Sequence, residues 1–480
     1  MHKDTLLIIQ RDTRLSGYLK TNQTSFATYE MTTESISPKQ IKIASKLSEL
    51  IPDRHSIAQT SLALLTHCHK FSTIRKKCMK KYLIVLAPLL ALGCMNQQPK
   101  ARYTKEEIAT LQLNSTKDLT IETDSVIGID LNPILKHETF DFGSKVAEVK
   151  IVKLETTNES LLDEIRKVII TDSFIYIFDD FQGGGIVVFE KDGKFIKRIP
   201  NGRGPGELIR LYDIAFDSHN DRLIAYQHSY LLYFNALGEF IKQDKLPFGF
   251  FNFAIIDSGF VFKTLDGQGN EHLGELMDYT ILITDENFKL LSAGMPYLPN
   301  RNNMGIDNYL QKNDDLFITQ GFNDTIYQYC AINKSIRAKY VLEYRNKIPE
   351  KILQANNETF KQSLTQNDYN FFFGKHLDNH THSVFFLENW HKGFQTVIYR
   401  DKKSGNLIGG THANYNLNEI PPMAYPKWTF REYFISAYYP NGREPFINKS
   451  SILSDADKSK LKSLTDDDNP ILILFKLRAF

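Results

Sequence analysis

Cysteine, tryptophan and net charge are all scarce in this sequence, and each shortage excludes something. Of 4 Cys, three (Cys68, Cys78, Cys94) fall within the first 94 residues, so Cys330 is alone in the body. No intrachain disulfide framework is then available, and the fold must rest on a large apolar core. A single thiol in such a chain reads as a small buried hydrophobe. Lys+Arg 58 against Asp+Glu 56 leaves a formal +2, which gives no electrostatic reason to expect nucleic acid as a partner. Residues 1–94 hold 14 of the basic and 6 of the acidic side chains, so the rest of the chain is mildly acidic. Gly-x-Ser-x-Gly, His-Glu-x-x-His and paired-cysteine motifs are also missing. Local nucleophile and zinc-protease signatures are thereby excluded, although a site built from scattered residues would leave no such motif. What the 480 residues do contain, 42% hydrophobic and 24% charged with 33 Phe and 23 Tyr against 2 Trp, describes a globular chain rich in strands.

The longest informative apolar run is short. Met79 is followed by Lys80, Lys81, the eleven residues Tyr82 to Leu92, then Gly93 and Cys94. This is the charged region, apolar region and small-residue cleavage site of a secretory signal. A helix of that length rises roughly 16 Å against a hydrocarbon core of about 30 Å, which argues against a membrane span. The ending Ala91-Leu92-Gly93-Cys94 resembles a bacterial lipobox with Ala91 where Leu is usual, and it predicts lipidation of Cys94 as the mature N-terminus. Residues 1–78, basic and Ser/Thr-rich, then read as an over-extended start, residues 79–94 as the signal and residues 95–118 as a polar tether.

Beyond the tether a repeat emerges. Phe189-Glu190-Lys191-Asp192-Gly193-Lys194-Phe195-Ile196-Lys197 matches the segment Phe234 to Lys242 at an offset of 45 residues, each written strand, glycine turn, strand. Asp172-Ser173, Asp217-Ser218 and Asp257-Ser258 recur at offsets of 45 and 40, each pair between two apolar strands. Four short strands at that period are the pattern of β-propeller blades, because each small sheet must bury both faces against its neighbours. Units are predicted at 165–200, 209–247, 252–296, 308–345 and 383–417, with a sixth from Trp428. The leftover N-terminal strands at 126–131 and 146–154 are expected to join the C-terminal strand near 470–475 and close the ring. Helical insertions are expected at 349–364 and 454–464, the second capped by Ser454. The fold class is therefore all-β, a six-bladed propeller over residues 119–480.

Four segments carry a family resemblance: Leu154 to Leu162, the loop Asn201-Gly202-Arg203-Gly204-Pro205-Gly206-Glu207, Asn323-Asp324-Thr325-Ile326-Tyr327, and Asp467-Asp468-Asn469-Pro470. Together they resemble the six-bladed β-propeller lipoproteins of Bacteroidetes. That resemblance implies fold and export, and it brings no catalytic residues because the family is largely without assigned activity.

Two groups are candidate sites. In the glycine loop, Arg203 and Glu207 are placed to pair across the turn as an inter-blade clamp, or to present an anion site with freed backbone N–H groups. His376, Asp378, His380 and His382 offer imidazole and carboxylate ligands for a transition metal, or else form a polar loop before the strand at Val384. Asp466-Asp467-Asp468 lacks the alternation and glycine of a calcium loop and reads as a solvated turn. The expected function is a ligand- or protein-binding module, held at a membrane by its lipid and taking a protein or carbohydrate. The alternative is a funnel-centred, metal-dependent hydrolase or lyase acting on sugars or lactones. No cofactor is readable.

Overall fold

The computed structural model describes residues 102–180, 185–265, 268–297, 309–414, 420–440 and 446–480. The chain divides into two units, Met1–Lys100 and Ala101–Phe480. Only the second is described below; the signal-peptide and Cys94 expectations lie outside the described residues.

Six sheets of four antiparallel strands follow one another as blades. Blade 1 is built from Ile165–Ile170, Phe174–Asp179, Gly185–Glu190 and Phe195–Ile199. Blade 2 uses Leu211–Asp217, Arg222–Gln227, Tyr230–Asn235 and Phe240–Lys245. Blade 3 uses Asn252–Ile256, Gly259–Lys263, Tyr279–Thr284 and Leu290–Pro296. Blade 4 uses Leu310–Lys312, Leu316–Ile318, Thr325–Cys330 and Ser335–Glu343. Blade 5 uses Phe371–Asp378, His382–Asn389, Phe394–Asp401 and Leu407–Gly410. Blade 6 combines Trp428–Phe430, Tyr433–Tyr438 and Ile471–Leu477 with the N-terminal strand Val146–Lys153. The sixfold ring expected from the period is therefore present.

The core explains why these strands read as apolar runs. Period-two alternation sends Ile471, Ile473 and Phe475 into a cluster with blade 5, and Leu472 and Leu474 into a separate cluster with blade 1. One such cluster fills each of the six blade interfaces, from Tyr176 and Phe234 between blades 1 and 2 to Phe317 and Phe385 between blades 4 and 5. The hairpin of blade 1 turns at Gly193, whose φ of +95° suits glycine, and a Cβ there would fall 2.1 Å from the Lys153 carbonyl oxygen. The helices Glu350–Leu353 and Asn357–Gln366 pack Leu353, Phe360 and Leu364 on Phe322 and Phe371 at the edge of blade 5. Asp455–Lys462 is capped by Ser454, whose hydroxyl accepts from Asp457 N–H.

Four expectations need correction. Residues 102–118 are not a tether: Arg102 donates to Gln268 O (2.8 Å) and Ser229 Oγ (2.9 Å), Lys105–Thr110 is a helix closed by a Thr104/Glu107 capping box, and Leu111 is fully buried. The strand Ile127–Asp130 does not close the ring but adds in parallel to Ser335–Glu343 of blade 4. Blade 5 begins at Phe371 rather than 383, so His376 and Asp378 belong to an inner strand and not to a polar loop. Cys330 is half-buried rather than enclosed.

The first two corrections describe one feature, a strap. Lys117–Asp118 pairs in parallel with the outer strand of blade 3, Ile121–Glu122 and Ile127–Asp130 with that of blade 4, and Thr139–Asp141 with His412–Asn414 just after blade 5. The chain then enters blade 6 as Val146–Lys153 and supplies its fourth strand.

Two segments of the family pattern meet where the ring closes. Asn469 is buried; its Oδ1 accepts from Leu162 N–H (2.7 Å) and its Nδ2 donates to Glu155 O (3.0 Å) and Ser160 O (2.9 Å). Thr156 Oγ1 donates to Asp468 Oδ1 at 3.0 Å. These residues join the start of the closing strand to the loop that leads into blade 1.

Candidate functional site

The turns between the first and second strands of the blades face one end of the ring. They surround a cavity of about 560 Å³ to which all six blades contribute. Asp172, Asp257 and Asp314 in the turns of blades 1, 3 and 4, and Asp217 at the end of the first strand of blade 2, are all on the cavity wall, and blade 6 places Arg431 there. The Asp-Ser pairs that mark the repeat thus fall at the funnel mouth. Most of these charges are engaged: Asp172 with Arg431 at 2.6 Å, Asp217 with Arg222 at 2.8 Å, and Asp314 with His380. Burial pushes the Asp217 carboxyl upward, but hydrogen bonds from Asn220 and Arg222 outweigh it and hold the group below its ordinary value. Asp257 is exposed and outside these pairs. Phe216, Trp428 and Phe430 add aromatic surface to the wall. Toward the floor, Lys167 Nζ meets the buried Asp213 Oδ1 at 2.7 Å, and Asp213 Oδ2 accepts from Phe253 N–H at 3.1 Å. This chain of contacts ties the inner strands of blades 1, 2 and 3.

The pairing of Arg203 with Glu207 expected in the glycine loop is not formed. The Glu207 carboxylate accepts from Gly204 N–H at 2.6 Å and lies so close to Gly202 that a Cβ there would sit 1.9 Å from Oε2. The loop closes on its own backbone, Gly206 packs against Phe240, and Arg203 is left exposed.

The histidine group is also dispersed. His376 is buried between Phe317 and Phe385, with ring centroids at 5.0 and 5.3 Å, and neither ring nitrogen has a hydrogen-bond partner. Burial pushes it down to about 3. Its Nε2 is 3.9 Å from Asp378 Oδ2, but Asp378 is held by Lys402 Nζ (2.7 Å) and Ser383 Oγ (2.6 Å). Burial raises the Asp378 carboxyl above its ordinary value. His380 turns outward to Asp314, and His382 bonds Thr381 Oγ1 while its ring lies on Phe480. Among the described residues no group of three or more His, Cys, Asp or Glu is placed to hold a metal ion.

Sequence reasoning missed one group altogether. Lys263 is 0% exposed, its ammonium nitrogen has no hydrogen-bond partner and lies 4.9 Å from the Tyr309 ring, and burial pushes it down to about 7. The only signal was a lysine at the end of the otherwise apolar strand Gly-Phe-Val-Phe-Lys.

A family model described as a domain of unknown function (DUF4934) matches residues 126–476. Among solved structures, one from Bacteroides fragilis, described there as an exported protein, superposes with a TM-score of 0.58 at 18% identity, covering 75% of this chain and all of that one. BamB from Moraxella catarrhalis matches with a TM-score of 0.32 at 10% identity, over 69% of this chain and 98% of that one. A protein of unknown function from Bacteroides caccae matches with a TM-score of 0.31 at 12% identity, over 51% and 81%. At these identities the first shows the fold alone, and the other two superpose too loosely to carry an argument. No curated protein matches the sequence.

Proposed function

Starting from the fact that this chain belongs to the DUF4934 family, we propose that it is a binding module of the cell envelope, anchored by lipid at Cys94, whose funnel mouth takes a polar ligand such as a carbohydrate. One observation carries the reading: a cavity built by all six blades presents carboxylates at repeated turn positions beside Phe216, Trp428 and Phe430. Carboxylates accept hydrogen bonds from hydroxyl groups, and aromatic faces pack against the apolar faces of sugar rings. The exported neighbour and the signal-like run ending at Cys94 support the address. Among the described residues no helix is long and apolar enough to cross a membrane.

Thermal melts against a panel of neutral oligosaccharides and short peptides test the site. A saturable rise in Tm that Asp257→Asn removes supports it; binding unaffected by that change places the ligand elsewhere. Labelling with a clickable fatty acid tests the anchor, since Cys94→Ala must abolish incorporation.

A further inference from the structure

A second cavity, of about 460 Å³, opens beside the funnel at the rim of blade 4 and shares Asp257, Lys312 and Asp314 with it. Its wall includes the hairpin formed by Thr325–Cys330 and Ser335–Glu343, where Gln328 stands opposite Arg337 and Cys330 opposite Ser335. Alternation along the strands puts these four residues on one face of the hairpin. Glu122 of the strap lies in register with Arg337, and its Oε1 accepts from Ser335 Oγ (2.6 Å) and Asn333 Nδ2 (2.9 Å). Two polar atoms are left over. Gln328 is 9% exposed, and its Oε1 has no hydrogen-bond partner; Arg337 Nε is likewise buried and unpartnered. Buried groups of this kind are rarely left unmatched.

We propose that this pocket binds a small organic acid carrying a hydroxyl or amino group next to its carboxylate. The guanidinium of Arg337 supplies N–H donors in a planar fork suited to a carboxylate. Gln328 Oε1 accepts from the neighbouring O–H or N–H of the ligand. Glu122, Asp257, Asp314 and Asp315 on the same wall outnumber Lys312 and Arg337, so the pocket takes no more than the one negative charge that Arg337 matches, which selects against phosphates and polycarboxylates. The assignment does not depend on the funnel being a binding site.

Cys330 lines the cavity and reports on its occupancy. Its alkylation by iodoacetamide on the processed protein, read by peptide mass mapping, is measured with D-galacturonate, L-alanine, D-galactose and inorganic phosphate. At least one of the two acids is expected to slow alkylation saturably, by threefold or more, and to raise Tm, while galactose and phosphate do neither. A response to galacturonate alone identifies sugar acids, and a response to alanine alone identifies amino acids. Arg337→Met removes the protection and Arg337→Lys keeps part of it. Gln328→Leu, which leaves the charge in place, weakens it as well. The assignment is overturned if neither acid acts, if galactose protects as well as the acids do, or if protection survives in both Arg337→Met and Gln328→Leu.

Discussion

Blade 2 ends outward in a bare strand and blade 1 in a half-buried one that meets only the loop Glu155 to Leu161, whereas blades 3 and 4 end beneath the strap and blade 6 ends in the strand that the strap becomes. The outer strand of blade 2, Phe240–Lys245, is exposed along almost its whole length, and Ile209, Leu237, Phe240 and Ile241 stand exposed around it. On the covered side, Leu119 N–H donates to Ala293 O and Ile336 N–H to Thr120 O. The two sides also differ inside. Among the described residues, every buried side-chain polar atom without a partner belongs to the strap or to blades 3, 4 and 5: Tyr103, Thr116, Asn252, Lys263, Gln328, Arg337, His376 and His382. Blades 1, 2 and 6 contribute none. Each such atom costs on the order of 1–3 kcal/mol. The unsatisfied groups therefore lie in the strap, in the two blades whose outer strands it pairs with, and in blade 5.

The largest effect is predicted at closure. Deleting Asn469 to Phe480 removes Ile471–Leu477, the strand between Tyr433–Tyr438 and Val146–Lys153, and leaves the strap with no blade to complete. The truncated protein should lose its cooperative thermal transition altogether. A melt like that of the intact chain would mean that the strap holds the ring without closure.

Lys263→Met comes next. The lysine is held near 7 in the fold against 10.5 as its ordinary value. Between those values the unfolded chain binds the proton and the fold does not, so stability rises with pH through that window and the full cost applies below about pH 7. At about 1.4 kcal/mol per unit, the methionine variant should gain on the order of 3–5 kcal/mol at pH 6. Urea titrations should show that gain shrinking as pH approaches 10. A gain independent of pH would indicate packing rather than charge.

His376→Phe is smaller at neutral pH and grows in acid. With the imidazole held near 3 in the fold against 6.5, stability is lost as pH falls from about 6.5 toward 3. The variant should match or slightly exceed the parent at pH 7 and exceed it by about 3 kcal/mol at pH 4. Equal acid sensitivity in circular-dichroism melts would remove His376 from the account.

The smallest effect belongs to the bare side. Ile241 is 55% exposed on an edge strand, and Ile241→Lys should change stability by no more than about 0.5 kcal/mol. A larger loss in urea denaturation would mean that this edge is covered by something in solution.

Blades 1 to 4 and the start of blade 6 were legible because strands buried on both faces become apolar runs separated by hairpin glycines. The inner strand of blade 5 was not, since Gly374, Lys375, His376 and Asp378 interrupt the run, and only the surrounding Phe317, Phe385 and Lys402 make it buried. Of the strap only the strand at 126–131 was visible, because strands as short as Lys117–Asp118 have no pattern of their own and exist because a neighbouring edge offers partners. At the candidate site, the Asp-Ser pairs were visible as a repeat but not as a cavity wall, since their convergence depends on the ring. Arg203 and Glu207 looked like chemistry in sequence, and the fold spends Glu207 on the loop backbone.

Native-state hydrogen exchange tests the contrast between the two sides most directly. Amides of the outer strands Leu290–Pro296 and Ser335–Glu343, which lie under the strap, should exchange at least tenfold more slowly than those of Phe195–Ile199 and Phe240–Lys245. Equal exchange on the two sides would contradict the account, because the strap would then add no stability to the half that carries the unsatisfied groups.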